Sequence, residues 1–207
     1  MKRLSEQYKQ DIVPVLQKEF GYTNSLAVPR LDKVKINVGI SKALKDDKYL
    51  EVMVKTLERI TGQKPVKTIS RKAISGFGIR QGMVVGLAVT LRRQRMYDFL
   101  EKLIRVALPR VRDFQGVPEY SVDEKGNLTI GFTEHLVFPE INSDEVEKLH
   151  GLEVTIVTTA DNKTEGKKLF QLLGIPFREG KRTTKKKKRQ GPPVKSKAAD
   201  KSDETKE

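Results

Sequence analysis

Between Lys55 and Arg112 the chain carries 14 Lys or Arg and three acids, Glu58, Asp98 and Glu101, a net charge of +11. The rest of the chain up to Arg178 carries 16 basic and 19 acidic residues. The excess positive charge of the body therefore sits in one stretch, which also holds the apolar runs of two helices and two strands. Any fold of this chain must bury those runs while turning the cations out together. A surface that gathers like charge destabilises the compact state unless a polyanion neutralises it. Nucleic acid is the first candidate.

The other bounds are consistent with that. At 207 residues the sequence fits one domain with a tail, and its formal net charge is +14. No apolar run approaches the roughly 20 residues that cross a bilayer, and the opening MKRLSEQYKQD has no apolar core of signal-peptide type. Absence of Cys removes disulfides, thiolate metal sites and Cys nucleophiles, and fits a reducing compartment. Absence of Trp argues against recognition mainly by aromatic stacking.

The N-terminal half alternates helix and strand signals. Leu4, Tyr8, Ile12, Leu16 and Phe20 recur every four residues and predict a helix over 2 to 20, kinked or broken at Pro14 and stopped at Gly21. Val34, Ile36, Val38 and Ile40 alternate with Lys33, Lys35, Asn37 and Gly39, which predicts a strand with one buried face. Its other face is either simply solvated or a flat donor surface for a sugar–phosphate backbone. Asp46 and Asp47 can cap a helix reaching Thr61, with Gly62 as its stop. A short strand follows over 64 to 70, with Pro65 favouring its start or an edge position.

Residues 71 to 82, RKAISGFGIRQG, contain three glycines but lack the G-x-x-x-x-G-K-[ST] pattern, and a strand rather than a helix follows them. The segment is expected to be a mobile basic loop with Phe77 and Ile79 at its tip. The strand over 83 to 91 has an apolar face of Met83, Val85, Leu87, Val89 and Leu91. Its other face is small at Gly86 and Ala88, which admits another backbone, either a packed protein element or RNA. Arg92, Arg93 and Arg95 then open a helix over about 93 to 108, closed by Pro109. Cations there oppose the helix dipole, an arrangement that an anion would relieve.

The C-terminal part is expected to hold a loop with a turn at 125 to 127, strands at 128 to 133 and 152 to 159, and a helix capped by Asn162 and Glu165. That helix should bury Leu169, Leu172 and Leu173 and end at Gly174. From Glu179 the composition changes to 11 basic and 5 acidic residues without an aromatic, which predicts a disordered arm with Lys185, Lys186, Lys187, Lys188 and Arg189 as its basic run.

Catalytic chemistry has little to stand on. His135 and His150 are 15 apart in separate segments, not at the i, i+4 spacing of a helical zinc pair, and are read as structural. No nucleophile–base–orienter set is visible. An RNA-modifying enzyme would need such a set or a cofactor site. A binder of anionic membranes would need a free amphipathic helix, whereas the helix at 93 to 108 needs its apolar face for the core. The sequence is read as a non-enzyme with no cofactor and no membrane partner.

Six segments then carry a resemblance: 60 to 65 (ITGQKP), 71 to 82, 90 to 96 (TLRRQRM), 108 to 114 (LPRVRDF), 138 to 141 (FPEI) and 158 to 160 (TTA). In order and spacing they resemble the bacterial large-subunit ribosomal protein that binds 5S rRNA, the L-five family, over roughly residues 1 to 178. The resemblance implies an α+β fold, a mostly antiparallel curved sheet with helices packed on one face, followed here by the basic tail. It implies a structural role in the central protuberance of a cytoplasmic ribosome, with 5S rRNA, large-subunit rRNA and other central-protuberance proteins as partners. Asn37, Gln63 and Thr90 match the family's 5S-contacting positions, with Lys33 and Arg92 beside them. Lys35, Arg93 and Arg95 complete the expected 5S set.

The loop of Arg71, Lys72, Ser75, Gly76, Phe77, Gly78, Ile79, Arg80 and Gln81 matches the family's projecting loop. In the family it reaches P-site tRNA, near an intersubunit bridge to small-subunit protein S-thirteen. The sequence departs from the family pattern at Gly78, where members often carry a basic residue, and in the extension past Arg178, where members commonly stop.

Overall fold

A computed structural model describes residues 2–40, 47–142 and 149–178. Strand β1 (Leu31–Gly39) lies at the centre of a five-stranded sheet. On one side it pairs with β3 (Val84–Leu91) and on the other with β6 (Leu152–Thr158). The edges are β2 (Val66–Ile69), beside β3, and β5 (Leu128–Phe132), beside β6. Every pairing in this sheet is antiparallel. The helices are α1 (Leu4–Gln7), α2 (Val13–Phe20), α3 (Asp47–Thr61), α4 (Arg93–Lys102), α5 (Leu108–Arg110) and α6 (Lys163–Leu172).

Strand alternation decides which side of the sheet is covered. Val34, Ile36 and Val38 of β1 are buried, as are Leu87, Val89 and Leu91 of β3, Val154 and Ile156 of β6, and Leu128 and Ile130 of β5. They meet Met53, Leu57 and Ile60 of α3, Met96, Phe99 and Leu100 of α4, and Leu169 and Phe170 of α6 in one cluster. Burying a side chain of this size contributes about 1.5–3 kcal/mol. The expected α+β architecture, with helices on one face of an antiparallel sheet, is the one observed. Pro65 directly precedes β2, and β2 is an edge strand, in line with the expected start or edge position.

The prolines inside the two helices, Pro14 and Pro109, refine the sequence reading. The helix at Pro14 does not break; a π-helical turn over Tyr8–Ile12 joins α1 to α2, and Val13 N–H reaches back to Tyr8 O. Pro109 does not close its helix at once; a second π-helical turn over Leu103–Ala107 precedes it, and α5 runs on to Arg110. A proline ring crowds the carbonyl four residues earlier and supplies no N–H. In each case that carbonyl, on Gln10 or Arg105, lies inside the widened turn. Widening lets the apolar stripes continue past the proline.

Three further corrections concern the C-terminal part. A two-residue parallel bridge joins β4 (Val117–Pro118) to β7 (Phe177–Arg178), within what the sequence presents as loop. Phe170, not Leu172, is fully buried on α6 beside Leu169 and Leu173. The box at Asn162 is one-sided: Glu165 accepts from Asp161 N–H at 3.3 Å and from Asn162 Nδ2 at 3.4 Å, and the Asn162 side chain caps no backbone N–H. The capping role of Asp46 and the basic arm with Lys185, Lys186, Lys187, Lys188 and Arg189 lie outside the described residues.

Candidate nucleic-acid interface

The register of the sheet sorts the uncovered face into rows. Lys35 of β1 stands opposite Thr90 of β3 and Thr155 of β6, and Thr155 stands opposite Thr129 of β5. Two residues on, Asn37 stands between Ala88 and Glu153, with Gly131 beyond. Two further on, Gly39 faces Gly86. The face thus runs from charged, through hydroxyl and amide, to bare backbone.

At the charged end Asp32 binds two candidate cations at once, Lys33 Nζ at 3.1 Å and Arg92 Nη1 at 3.4 Å. Arg92, Arg93 and Arg95 are all exposed at the start of α4. Arg93 stands at φ +53, a left-handed conformation that costs an L residue about 1 kcal/mol. Arg95 turns toward an open cleft of about 410 Å³ that also takes in Asp98 and Lys102. Lys102 is held by Ile60 O at 2.6 Å and by Glu140 at 2.5 Å.

Gln63 follows the left-handed stop at Gly62 and is half-buried. Its backbone is fixed by Thr61, whose Oγ1 accepts from Gln63 N–H at 3.3 Å. Val66 lies opposite Ala88 in an antiparallel pair, so the chain entering β2 passes the end of β3 that carries Thr90. The structure thus brings Lys33, Lys35, Asn37, Thr90 and Arg92 onto one side of the sheet, with Gln63 at its rim. At Gly86 an added Cβ would meet Thr68 Oγ1 at 2.8 Å and Val38 O at 3.0 Å, so the neighbouring strands β2 and β1 fill the space at that one position.

The glycine loop is a small hairpin. Ile74 and Ile79 exchange backbone hydrogen bonds at 2.8 and 3.1 Å, and Ser70 and Met83 close its base. Ser75–Phe77 form one 3₁₀ turn, and Gly78 ends it at φ +65, a conformation glycine adopts without cost. Phe77 is 75% exposed at the tip. Ile79 is half-buried and bridges to Ile74, so it belongs to the stem and not the tip as expected. Arg71, Lys72, Ser75, Gly76, Arg80 and Gln81 are all exposed around Phe77.

The sequence reading passed over Asp32, Thr129, Glu153 and Thr155. The alternation of residues 152 to 158 already places Glu153 and Thr155 opposite the apolar face. His135 and His150, far apart in sequence, meet in the interior, where they stack. Among the described residues no group of three or more His, Cys, Asp or Glu could hold a metal ion. No helix there is long and apolar enough to cross a membrane. Met96, Phe99, Leu100 and Leu103 put the apolar face of the α4 region into the core, so that helix has no apolar face to offer a bilayer.

Comparison with known proteins assigns the family. Residues 24–80 match the family model for ribosomal protein L5, and residues 84–177 match the model for the C-terminus of the same ribosomal family. The chain is 50% identical over 179 residues to large ribosomal subunit protein uL5 of Desulfatibacillum aliphaticivorans, covering 86% of this chain and 100% of the relative. It is 51% identical over 178 residues to the same protein of Geotalea daltonii, covering 86% and 99%, and 52% identical over 179 residues to that of Solidesulfovibrio magneticus, covering 86% and 100%. With both halves of its sheet inside these matches and its relatives aligned along nearly their whole length, the chain belongs to the ribosomal protein L5 family.

Proposed function

We propose that this chain is a structural constituent of the large ribosomal subunit that binds 5S rRNA through the uncovered face of its sheet. The observation that carries this reading is the register: Lys35 and Thr90 are opposite one another, Asn37 is one row away, and Lys33 and Arg92 share Asp32 at the end. Cations at one end can neutralise phosphates, which supplies salt-dependent affinity and sets register. Hydroxyl and amide groups on the flat rows meet sugar hydroxyls and exposed base edges. Members of the family are structural ribosomal proteins, and no catalytic step is assigned to the chain.

The projecting hairpin suits a second RNA surface. Arg71, Lys72 and Arg80 supply charge around exposed Phe77, and the paired stem gathers them into one hairpin. Its assigned partners are P-site tRNA and, along the same edge, small-subunit protein S-thirteen. The body, 1–178, is the RNA-binding domain, and the extension at 179–207 adds rRNA contacts through Lys185, Lys186, Lys187, Lys188 and Arg189. Other central-protuberance proteins are its neighbours. The test of the face is substitution of Asn37 or Thr90 by Ala. Weaker 5S rRNA binding with an unchanged unfolding midpoint supports the assignment; unchanged affinity in both variants removes it.

A further inference from the structure

Among the described residues, Glu153 is the one acidic side chain in the middle rows of a face otherwise lined by Lys35, Asn37 and threonines. Its place is fixed by register: Asn37 is opposite on β1 and Gly131 is opposite on β5. Beyond Asn37 in the same row comes Ala88. The neighbours of this pair in the row are therefore a methyl group and a bare backbone. A Cβ added at Gly131 would meet nothing within 4 Å, and the same holds at Gly39. Asn37 and Glu153 stand up from the row together, and Asn37 Nδ2 donates to Glu153 Oε2 at 3.5 Å.

We infer that Glu153 is a specificity-determining residue of this face, an acceptor for the N–H groups of unpaired bases that also bars phosphate from its row. The inference rests on the assignment of the face to RNA. An ionised carboxylate accepts only, and opposes a phosphate at close range. Next to it an RNA must present donors: the exocyclic amino groups of cytosine, adenine or guanine, an imino N–H, or a ribose hydroxyl. In a duplex the imino N–H groups are spent on pairing and each amino group keeps only one free N–H, set in a groove, so a splayed, unpaired base offers this row the most donors.

The same carboxylate takes one N–H of the Asn37 amide, which leaves Asn37 Oδ1 as an acceptor and its second N–H as a donor toward the ligand. Charge falls along β1 from Lys33 through Lys35 to this row. Phosphates are held at the Lys33 and Arg92 end, and base edges are read two rows away.

The test uses the full-length protein with E153Q and E153A, titrated against 5S rRNA and an unrelated RNA of equal length. Gln keeps the shape and still accepts from Asn37 but loses the charge. Glu153 is exposed, so the unfolding midpoint serves as the fold control. The expected result for E153Q is about tenfold weaker binding to 5S rRNA. Binding to the unrelated RNA stays within about twofold or tightens, and the salt slope is unchanged because no phosphate contact is lost. E153Q binding 5S rRNA as tightly as the parent, or tighter, overturns the inference. Asn37→Ala run beside it separates the two levels. If Asn37→Ala weakens binding while E153Q does not, only the role of Glu153 fails; if E153Q, Asn37→Ala and Thr90→Ala all leave it unchanged, the RNA assignment of the face fails as well.

Discussion

The imidazole rings of His135 and His150 stack face to face, with centroids 3.8 Å apart and planes 15° from parallel. His135 is 1% exposed and His150 8%. His135 Nδ1 lies 3.4 Å from His150 N–H, which donates to it, and 3.2 Å from His150 O. Neither ring nitrogen of His150 has a hydrogen-bond partner among the described residues.

Burial lowers the pKa of both rings, and the neighbouring His135 adds to the effect on His150, which falls to about 4. The folded state therefore resists protonation that the unfolded chain accepts near pH 6.5. Stability from this pair is present above pH 6.5 and is lost as pH falls from there toward 4; for His150 the loss is on the order of 3 kcal/mol. Denaturation at pH 7, 5.5 and 4.5 should show a shallower decline in His150→Phe than in the parent. Parallel declines would mean that carboxylates alone govern the acid limb.

Two phenylalanines should separate stability from surface function. Phe138 is fully buried, 6.1 Å from Phe99 and 6.0 Å from Phe132 between ring centroids. Phe138→Ala should cost about 3–5 kcal/mol. Phe77→Ala, at the exposed hairpin tip, should change stability by less than about 0.5 kcal/mol. Urea midpoints decide both, and a large loss at Phe77 would mean that the hairpin tip packs on the body.

Gly166 holds α6 against the turn at Gly126. A Cβ there would collide with the Cα and carbonyl of Gly126. Gly126 itself sits at φ +70, and its carbonyl accepts from Thr158 Oγ1 at 2.9 Å. Gly166→Ala should cost about 3 kcal/mol, because backbone on both sides must move. A midpoint within error of the parent would show that the helix slides freely on that turn.

Much of the sheet was legible because its signal is local. The alternation of Lys33, Val34, Lys35, Ile36, Asn37 and Val38 separates the two faces of β1 without knowledge of any neighbour. The same period in 152 to 158 displays Glu153 and Thr155, although a basic stretch elsewhere in the chain drew the functional reading away from them. What was not legible depends on contacts distant in sequence. Asp32 looks like any polar residue until β3 brings Arg92 beside it. The β4–β7 bridge joins segments about 60 residues apart, two residues on each side, too short for any periodicity. His135 and His150 meet only because the segments flanking β5 and β6 converge. The π-helical turns arise from tension between a proline and an apolar stripe that continues past it, and the proline alone suggests only a break.

Phosphate-holding and base-reading residues should behave differently in salt. Lys33→Ala and Arg92→Ala should weaken binding to 5S rRNA and to unrelated RNA alike, each reducing the salt slope by about 1. Thr90→Ala should weaken 5S rRNA binding by about 1 kcal/mol and leave the slope in place. Slopes that do not change for Lys33 and Arg92 would mean that Asp32 already neutralises both cations.

The central claim is that specificity resides in the uncovered sheet face. It is tested most directly by titrating the purified protein against 5S rRNA across a salt series, with an unrelated RNA of equal length as competitor and a chain ending at Arg178 beside the full chain. The account predicts tight 5S rRNA binding that survives both competitor and truncation, with the tail adding mainly salt-dependent affinity. Binding that vanishes with competitor, or that depends wholly on residues 179–207, would contradict it.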